Sequence, residues 1–508
     1  MTVSDGRAGD HGDDQGAQRQ SPWRISRMSV FRRKEPCHFS RRMALGAFLV
    51  GAWKLLSPQR ATAAGPQEAG AFQGASNQGS VAVPRFPLRI SADQRHLVDA
   101  NGAPFLVHGD TAWSLIGDLS LEDAALYLDD RVRRGFNTVL VSLLEHYYSR
   151  SAPRNAYGES PFLSGADFGA PNPAYFDRAE QMLRLIKDRR LLVLLTPAYI
   201  GAGGGQDGWY KEMRANGPDK LRAYGRWLGQ RFSHFDNIVW VNGGDYNPPD
   251  KAPIRAIAEG LFEADPGALQ TVHNQPETAG SDYWPDEPWL KLDTVYTYGP
   301  VYLPARRIFA RGGRPFIMIE SAYEYEHDAT EQRLRTQAWQ ALLCGAAGQV
   351  FGNNPIWHFN GPGLFSAPMT WREALNSRGA QSMSHLAKLM AELPWWTLRP
   401  DNSDELLAGG RGTAPSRAVA ASSPDGSLAL VYTPDRRVLH LATRLLGSQP
   451  RGEWFDPSSG DVHQAALAST ETGLLSASTP GRNAAGFEDW VLVIRAGADV
   501  AEGASTKQ

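Results

Sequence analysis

The sequence predicts an α/β protein, a (β/α)8 TIM barrel followed by a small antiparallel β-sandwich domain. Between residues 105 and 353, eight short apolar runs alternate with stretches of helical periodicity. Strands that are apolar along their whole length are buried on both faces, as in a parallel sheet. Beyond residue 395 the texture changes to short runs separated by Pro, Gly and Asp turns, the spacing of an antiparallel sandwich. No phosphate-binding glycine turn follows the first run, which disfavours a doubly wound open sheet.

Residues 1–63 read as a targeting segment. A twin-arginine pair, Ser40-Arg41-Arg42-Met43, precedes an apolar run from Met43 to Trp53, and Ala61-Thr62-Ala63 fits a small-residue cleavage site. The run is far short of the roughly 20 residues that span a bilayer, so export to the periplasm or exterior without stable membrane insertion is expected. The segment carries 11 Lys/Arg against 5 Asp/Glu, while the whole 508-residue chain has a formal net charge of −2. Nothing in that balance suggests a nucleic-acid partner. Of two cysteines, Cys37 would leave with the segment, and Cys344 sits in an apolar helical pattern. This excludes a disulfide scaffold and a Cys-rich zinc module and makes Cys344 an inert buried thiol. Residues 64–85, rich in Ala, Gly and Gln, read as a flexible linker.

The barrel is assigned to residues 86–394. It opens with a hairpin, Leu88 to Val98, with Asn101-Gly102 as turn. The expected strands are Phe105–Gly109, Thr138–Leu144, Leu191–Pro197, Ile238–Asn242, Leu269–His273, Thr294–Tyr298, Pro315–Glu320 and Gln349–Asn353. Expected helices include Leu121–Arg134, Ala174–Arg189, Asp219–Phe232, Ile254–Ala264 and Thr330–Cys344, with a closing helix from Trp371 to Leu393. Residues 395–496 form the sandwich, and 497–508 a frayed tail.

In such a barrel the site lies at the C-terminal ends of the strands. Those ends carry Asp110 and Trp113, Glu145 and His146, Asn242, Asp245 and Tyr246, His273 and Asn274, Tyr298, Glu320, and Asn353 and Trp357. Carboxylates and amides bond sugar hydroxyls, and aromatic faces pack on sugar rings. Cleaving a glycosidic bond takes one carboxylic acid to protonate the leaving oxygen and a second to attack the anomeric carbon or activate water. Asp245 and Glu320 follow the fourth and seventh strands, which face each other across the barrel. They are assigned as acid/base and nucleophile. The structural alternatives are a turn role for Asp245, ahead of Asn247-Pro248-Pro249, and pairing with an Arg or Tyr for Glu320. Glu145, Glu324 and Glu326 are reserve candidates for these roles, the last two following the seventh strand on its loop. Asp110 suits either a sugar hydroxyl or a turn cap. His108, His146 and His273 lie on different strands without HExxH spacing, so no metal is expected, and no cofactor is indicated. Trp209 and Trp284 join the stacking candidates, with core packing as their rival. Gly203-Gly204-Gly205-Gln206-Asp207-Gly208 matches GxGxxG, but it comes well past its strand and no apolar helix follows. It is expected to be a flexible loop over the mouth.

The stretch Leu88–Leu115, with LVDANGAPFLVHGDTAWSL, resembles the opening of the apiosidase-like glycosidases, glycoside hydrolase family 140. Trp240–Tyr246 (WVNGGDY) is similar to that family's acid/base segment and Pro315–Glu320 (PFIMIE) to its nucleophile strand. Trp454-Phe455-Asp456-Pro457 with Gly460, and Asp489–Val493, resemble the small C-terminal β-domain that family descriptions label collagen-binding. The resemblance implies a (β/α)8 barrel using an Asp acid/base and a Glu nucleophile on a glycosidic bond of a plant cell-wall polysaccharide or oligosaccharide, with apiose as one possible sugar. A non-catalytic carbohydrate- or matrix-binding protein on the same barrel is the alternative of another class. A collagenase reading lacks a zinc motif and a catalytic triad.

Overall fold

The structure is a computed structural model, and it describes residues 83–497. The expected targeting segment, most of the linker and nearly all of the tail lie outside the described residues.

Eight parallel strands form the barrel: β1 Val107–Thr111, β2 Thr138–Ser142, β3 Leu192–Thr196, β4 Ile238–Gly243, β5 Gln270–His273, β6 Asp293–Tyr296, β7 Phe316–Glu320 and β8 Gly348–Phe351. Every residue in them is buried, which is why they read as unbroken apolar runs. Pairing runs in ring order from β5 through β4, β3, β2, β1, β8 and β7 to β6. The remaining seam, between β5 and β6, is drawn together by a parallel bridge between Gln270 and Leu290. Side chains assist there, with Thr271 Oγ1 donating to the Leu292 carbonyl at 2.6 Å and Thr294 Oγ1 to the Val272 carbonyl at 2.9 Å.

Side chains alternate between the barrel interior and the outer helix layer, as a period of two requires. Val239 and Val241 of β4 belong to the interior cluster, whereas Ile238 and Trp240 pack with the outer helices. On β7, Ile317 and Ile319 point inward, and Phe316 and Met318 outward. Five helices form within two residues of the expected spans, for example Leu121–Arg133 and Glu331–Leu343. The single closing helix expected over Trp371–Leu393 is instead two, Trp371–Ala374 and Arg378–Ala391. Ser377 starts the second, its hydroxyl accepting from the Ala380 amide, a stronger local signal than the continuous periodicity.

The expected N-terminal hairpin is a three-stranded antiparallel meander, Arg89–Ile90, Leu97–Val98 and Pro104–Phe105. Asn101-Gly102 turns between its second and third strands. Gly102 has φ +86°, and Asp99 accepts from the amides of Asn101 and Ala103. Leu88, Leu97 and Phe105 close one interior cluster with Leu140, Val239 and Ile317.

The C-terminal domain is a sandwich of a six-stranded and a four-stranded antiparallel sheet. Its central strands, Leu428–Thr433 and Trp490–Arg495, are nearly all apolar because both faces are covered. Val431 and Leu492 meet the smaller sheet, while Leu430, Tyr432, Val491 and Val493 pack on the barrel helix Glu331–Leu343. Trp339 of that helix stacks on Tyr432 at 6.3 Å. Arg335 makes a bidentate pair with Asp489, at 2.7 and 2.8 Å, and both side chains are completely buried. Arg335→Met would leave the Asp489 carboxylate in the core with only Tyr432 and Asn483 as donors. It is expected to cost about 3–5 kcal/mol, read as a lowered midpoint in urea unfolding.

Candidate active site

Asp245 reaches the barrel mouth because two glycines let β4 turn sharply. Gly243 has φ +88°, and a Cβ there would stand 2.6 Å from the His273 carbonyl oxygen. A Cβ on Gly244 would meet the Tyr199 ring at 2.8 Å, and the Gly244 amide donates to that same His273 carbonyl at 2.8 Å. The tips of β4 and β5 are thereby locked together. Glu320 arrives by a different device. Strict alternation along β7 would send it outward with Phe316 and Met318. The register against β6 instead shifts between Met318 and Glu320, so that Glu320 pairs with the inward-facing Tyr296. A bulge of this kind re-aims the side chain.

The two carboxylates meet at His273, which lies on the inward parity of β5 and is fully buried. His273 Nε2 is 2.8 Å from Glu320 Oε2. Its Nδ1 is 3.2 Å from Asp245 Oδ1 but out of line for a hydrogen bond, so both of those atoms are unpartnered. Tyr296 donates to Asp245 Oδ2 at 3.4 Å. Burial, and then the Glu320 carboxylate, push Asp245 up to about 7 against the opposing pull of His273 and Tyr199. For His273, burial opposes the charged ring, but the Glu320 hydrogen bond and the two carboxylates outweigh it and raise its pKa. Asp245, His273 and Glu320 are also the one trio among the described residues whose metal-type donor atoms all lie within 4.8 Å of one another.

A cavity of about 500 Å³ opens over this centre. Of the residues expected at the site, Trp113, Glu145, Asp245, Tyr298, Glu320 and Trp357 line it, and His273 stands behind the acids. Glu145 is less free than expected. One oxygen accepts from the amides of His146, Tyr147 and Tyr148, and the other from Ser114 Oγ at 2.7 Å. It therefore anchors the loop after β2.

Besides His273, six of the expected strand-end residues do not line the cavity, and for four the reason is strand parity. Asp110 faces the helix layer, fully buried against Tyr127 at 2.8 Å and Arg131 at 3.1 Å. Asn242 also faces outward, its amide on Gln270 at 2.9 Å. Asn274 bonds the Ala279 carbonyl and Trp284 Nε1. Asn353 bonds Glu324, whose other oxygen accepts from the Gly379 amide. His146 is turned away onto Trp209, at 4.6 Å between ring centres, and toward Glu212. Tyr246 packs against Tyr210 and leaves no room for a Cβ on Gly204. Trp209 and Trp284 are core residues.

Several lining residues escaped the sequence reading. Tyr199 sits just past the tip of β3 and could have been found by treating that strand like the others. Asp207 comes from the Gly-rich loop, which does cover the mouth. Asp207 Oδ2 takes bonds from the Ala202 amide and the Tyr148 hydroxyl, both at 3.0 Å. Glu326, one of the reserve acids expected from the sequence, does line the cavity and accepts from Trp357 Nε1 at 2.8 Å. His327, Leu364 and Phe365 complete the rim from loops without periodicity.

A family model described as "Apiosidase-like, catalytic domain" matches residues 91–397, and one described as "Putative collagen-binding domain of a collagenase" matches 400–495. A solved structure described as "Glycoside hydrolase" is 24% identical, with a TM-score of 0.70 over 80% of this chain and 96% of its own. A glycoside hydrolase family 5 structure from Bacteroides vulgatus ATCC 8482 is 22% identical, with a TM-score of 0.70 over 80% of this chain and 93% of its own. No protein of curated function matches the chain.

Proposed function

The chain belongs to the apiosidase-like family, and from that premise we propose that it is an exported retaining glycoside hydrolase acting on a plant cell-wall type polysaccharide. The observation that carries the mechanism is the closeness of the two acids. An oxygen of Asp245 and an oxygen of Glu320 lie within 4.8 Å of each other. Retaining enzymes hold their carboxyl groups roughly 5–5.5 Å apart, and inverting ones leave room for a water between them. In the first step Glu320 attacks the anomeric carbon while protonated Asp245 gives its proton to the leaving oxygen. The sugar becomes an ester of Glu320 and the aglycone departs as an alcohol. In the second step Asp245, now a carboxylate, takes a proton from water, whose oxygen displaces Glu320 and regenerates both groups. His273 steadies the Glu320 charge through its Nε2 hydrogen bond. Proton NMR during the first minutes of hydrolysis is expected to show product with the substrate's own anomeric configuration. The opposite anomer would overturn the retaining mechanism.

The proposal of export rests on Arg41-Arg42 and the apolar run behind them. Residues 1–63 fused to a folded reporter are expected to deliver it outside the cytoplasm, and Arg41→Lys with Arg42→Lys to hold it inside. Equal delivery by both fusions would remove the twin-arginine assignment.

A further inference from the structure

The loop after β7 is strained. Tyr325, His327 and Asp328 all take left-handed backbone, at φ +68°, +46° and +56°. A Cβ disfavours that region, and such strain persists only where the surroundings over-determine it, typically at ligand sites. Glu324 supplies the constraint. Its carboxylate is spent on Asn353 and the Gly379 amide. Its own amide donates to the Gly352 carbonyl at 2.9 Å, and its carbonyl accepts from the Asn354 amide at 3.0 Å. The loop is therefore bolted to the tip of β8, and the residue presented between the strained positions is Glu326. Glu326 is 8% exposed and lines the cavity. One of its oxygens accepts from Trp357 Nε1. The other has no partner among the described residues, yet it is not sealed from solvent, so it opens on the cavity. Burial pushes this carboxyl up to about 7, with the Trp357 bond opposing and the Glu320 charge assisting.

Resting on the glycosidase reading above, we infer that Glu326 is a specificity-determining residue whose free oxygen holds a hydroxyl of the sugar that Glu320 attacks. Glu320 and Glu326 stand on the β7 side of the mouth, and Asp245 stands on the β4 side. The acid marks the leaving oxygen and the nucleophile the anomeric carbon, so a hydroxyl met by Glu326 belongs to the sugar forming the ester and not to the aglycone. A carboxyl can accept from a hydroxyl when ionised and donate to it when protonated. The bond to Trp357 fixes the direction of Glu326, so the hydroxyl must come to it. A sugar lacking that hydroxyl would leave the buried carboxyl unpaired, which is the stronger ground for rejection.

The test is a cycle that pairs loss of the carboxyl with loss of the hydroxyl. The probe is whichever of a panel of 4-nitrophenyl furanosides and pyranosides, the apioside among them, the full chain cleaves fastest, together with its monodeoxy forms. For wild type, one monodeoxy form is expected to lose at least about tenfold in kcat/KM (about 1.4 kcal/mol). Glu326→Ala should lose as much on the parent glycoside and nothing further on that deoxy form. Glu326→Gln keeps an acceptor for Trp357 Nε1 and an amide for the hydroxyl, so it should recover part of the loss on the parent. Equal losses by Glu326→Ala on the parent and on every deoxy form would mean that Glu326 only props Trp357, overturning the inference and leaving the glycosidase intact. Cleavage of no panel member, or cleavage unchanged in Glu320→Gln, would overturn the glycosidase reading itself, and the role of Glu326 with it.

Discussion

Glu320→Gln is expected to lower kcat by about 10⁴-fold or more, the scale on which losing the nucleophile from a catalytic unit disables it. The amide cannot form the glycosyl ester, so the two-step route closes. The fold should survive, since a Gln carbonyl can still accept from His273 Nε2, the one side-chain hydrogen bond that Glu320 makes. The comparison is single-turnover kinetics on wild type and variant, with circular dichroism confirming equal folding. Residual activity within tenfold of wild type would show that another residue attacks.

Asp245→Asn is expected to cost about 10²–10⁴-fold with ordinary substrates, the usual contribution of a positioned general acid. Two signatures separate this from simple disruption. Asp245 is held up to about 7, first by burial and then by the Glu320 charge. The sign follows directly: the acid works only while protonated, so wild-type kcat/KM should be sustained below about pH 7 and fall above it. The variant has no proton to lose and should lack that alkaline limb. An aryl glycoside with a strongly acidic leaving group needs little protonation, so with it the variant's first step should approach the wild-type rate. A variant that keeps the limb near pH 7, or that loses equally on both leaving groups, would move the acid role elsewhere.

The barrel was legible because each strand is buried on both faces, which leaves a continuous apolar run where a two-sided strand would alternate. That same burial hid part of the site. Asp110, Asn242, Asn274 and Asn353 are polar residues at strand ends, and composition alone made them look like sugar-binding groups. Counting in twos from Val107, Val241, Thr271 or Val350 assigns them to the helix layer, where the structure finds them bonded to Arg131, Gln270, Trp284 and Glu324. The same rule keeps Trp113 and His273 inside. It fails at Glu320, which counting would have rejected. The register shift after Met318 is a property of the strand pair and is not visible in PFIMIE alone. Asp207, His327, Leu364 and Phe365 come from loops, where no period tells which side chains will turn toward the mouth. Tyr199 had a signal, the tip of an apolar run, that the acids elsewhere overshadowed.

The grip of the C-terminal domain on the helix Glu331–Leu343 bears on how such chains can diverge. That helix directly follows the strand and loop carrying Glu320, Glu326 and His327, and its far face is filled by Trp339 against Tyr432 and by Arg335 against Asp489. Without the sandwich, an indole and a guanidinium that have no surface role would be bared to solvent. Recombination that exchanges the C-terminal domain for an unrelated module would strand both. The two domains are therefore bound to be inherited together, and drift in one must be answered by substitution in the other. A library that shuffles carbohydrate-active parts should treat residues 86–496 as one cassette and place its junctions outside them.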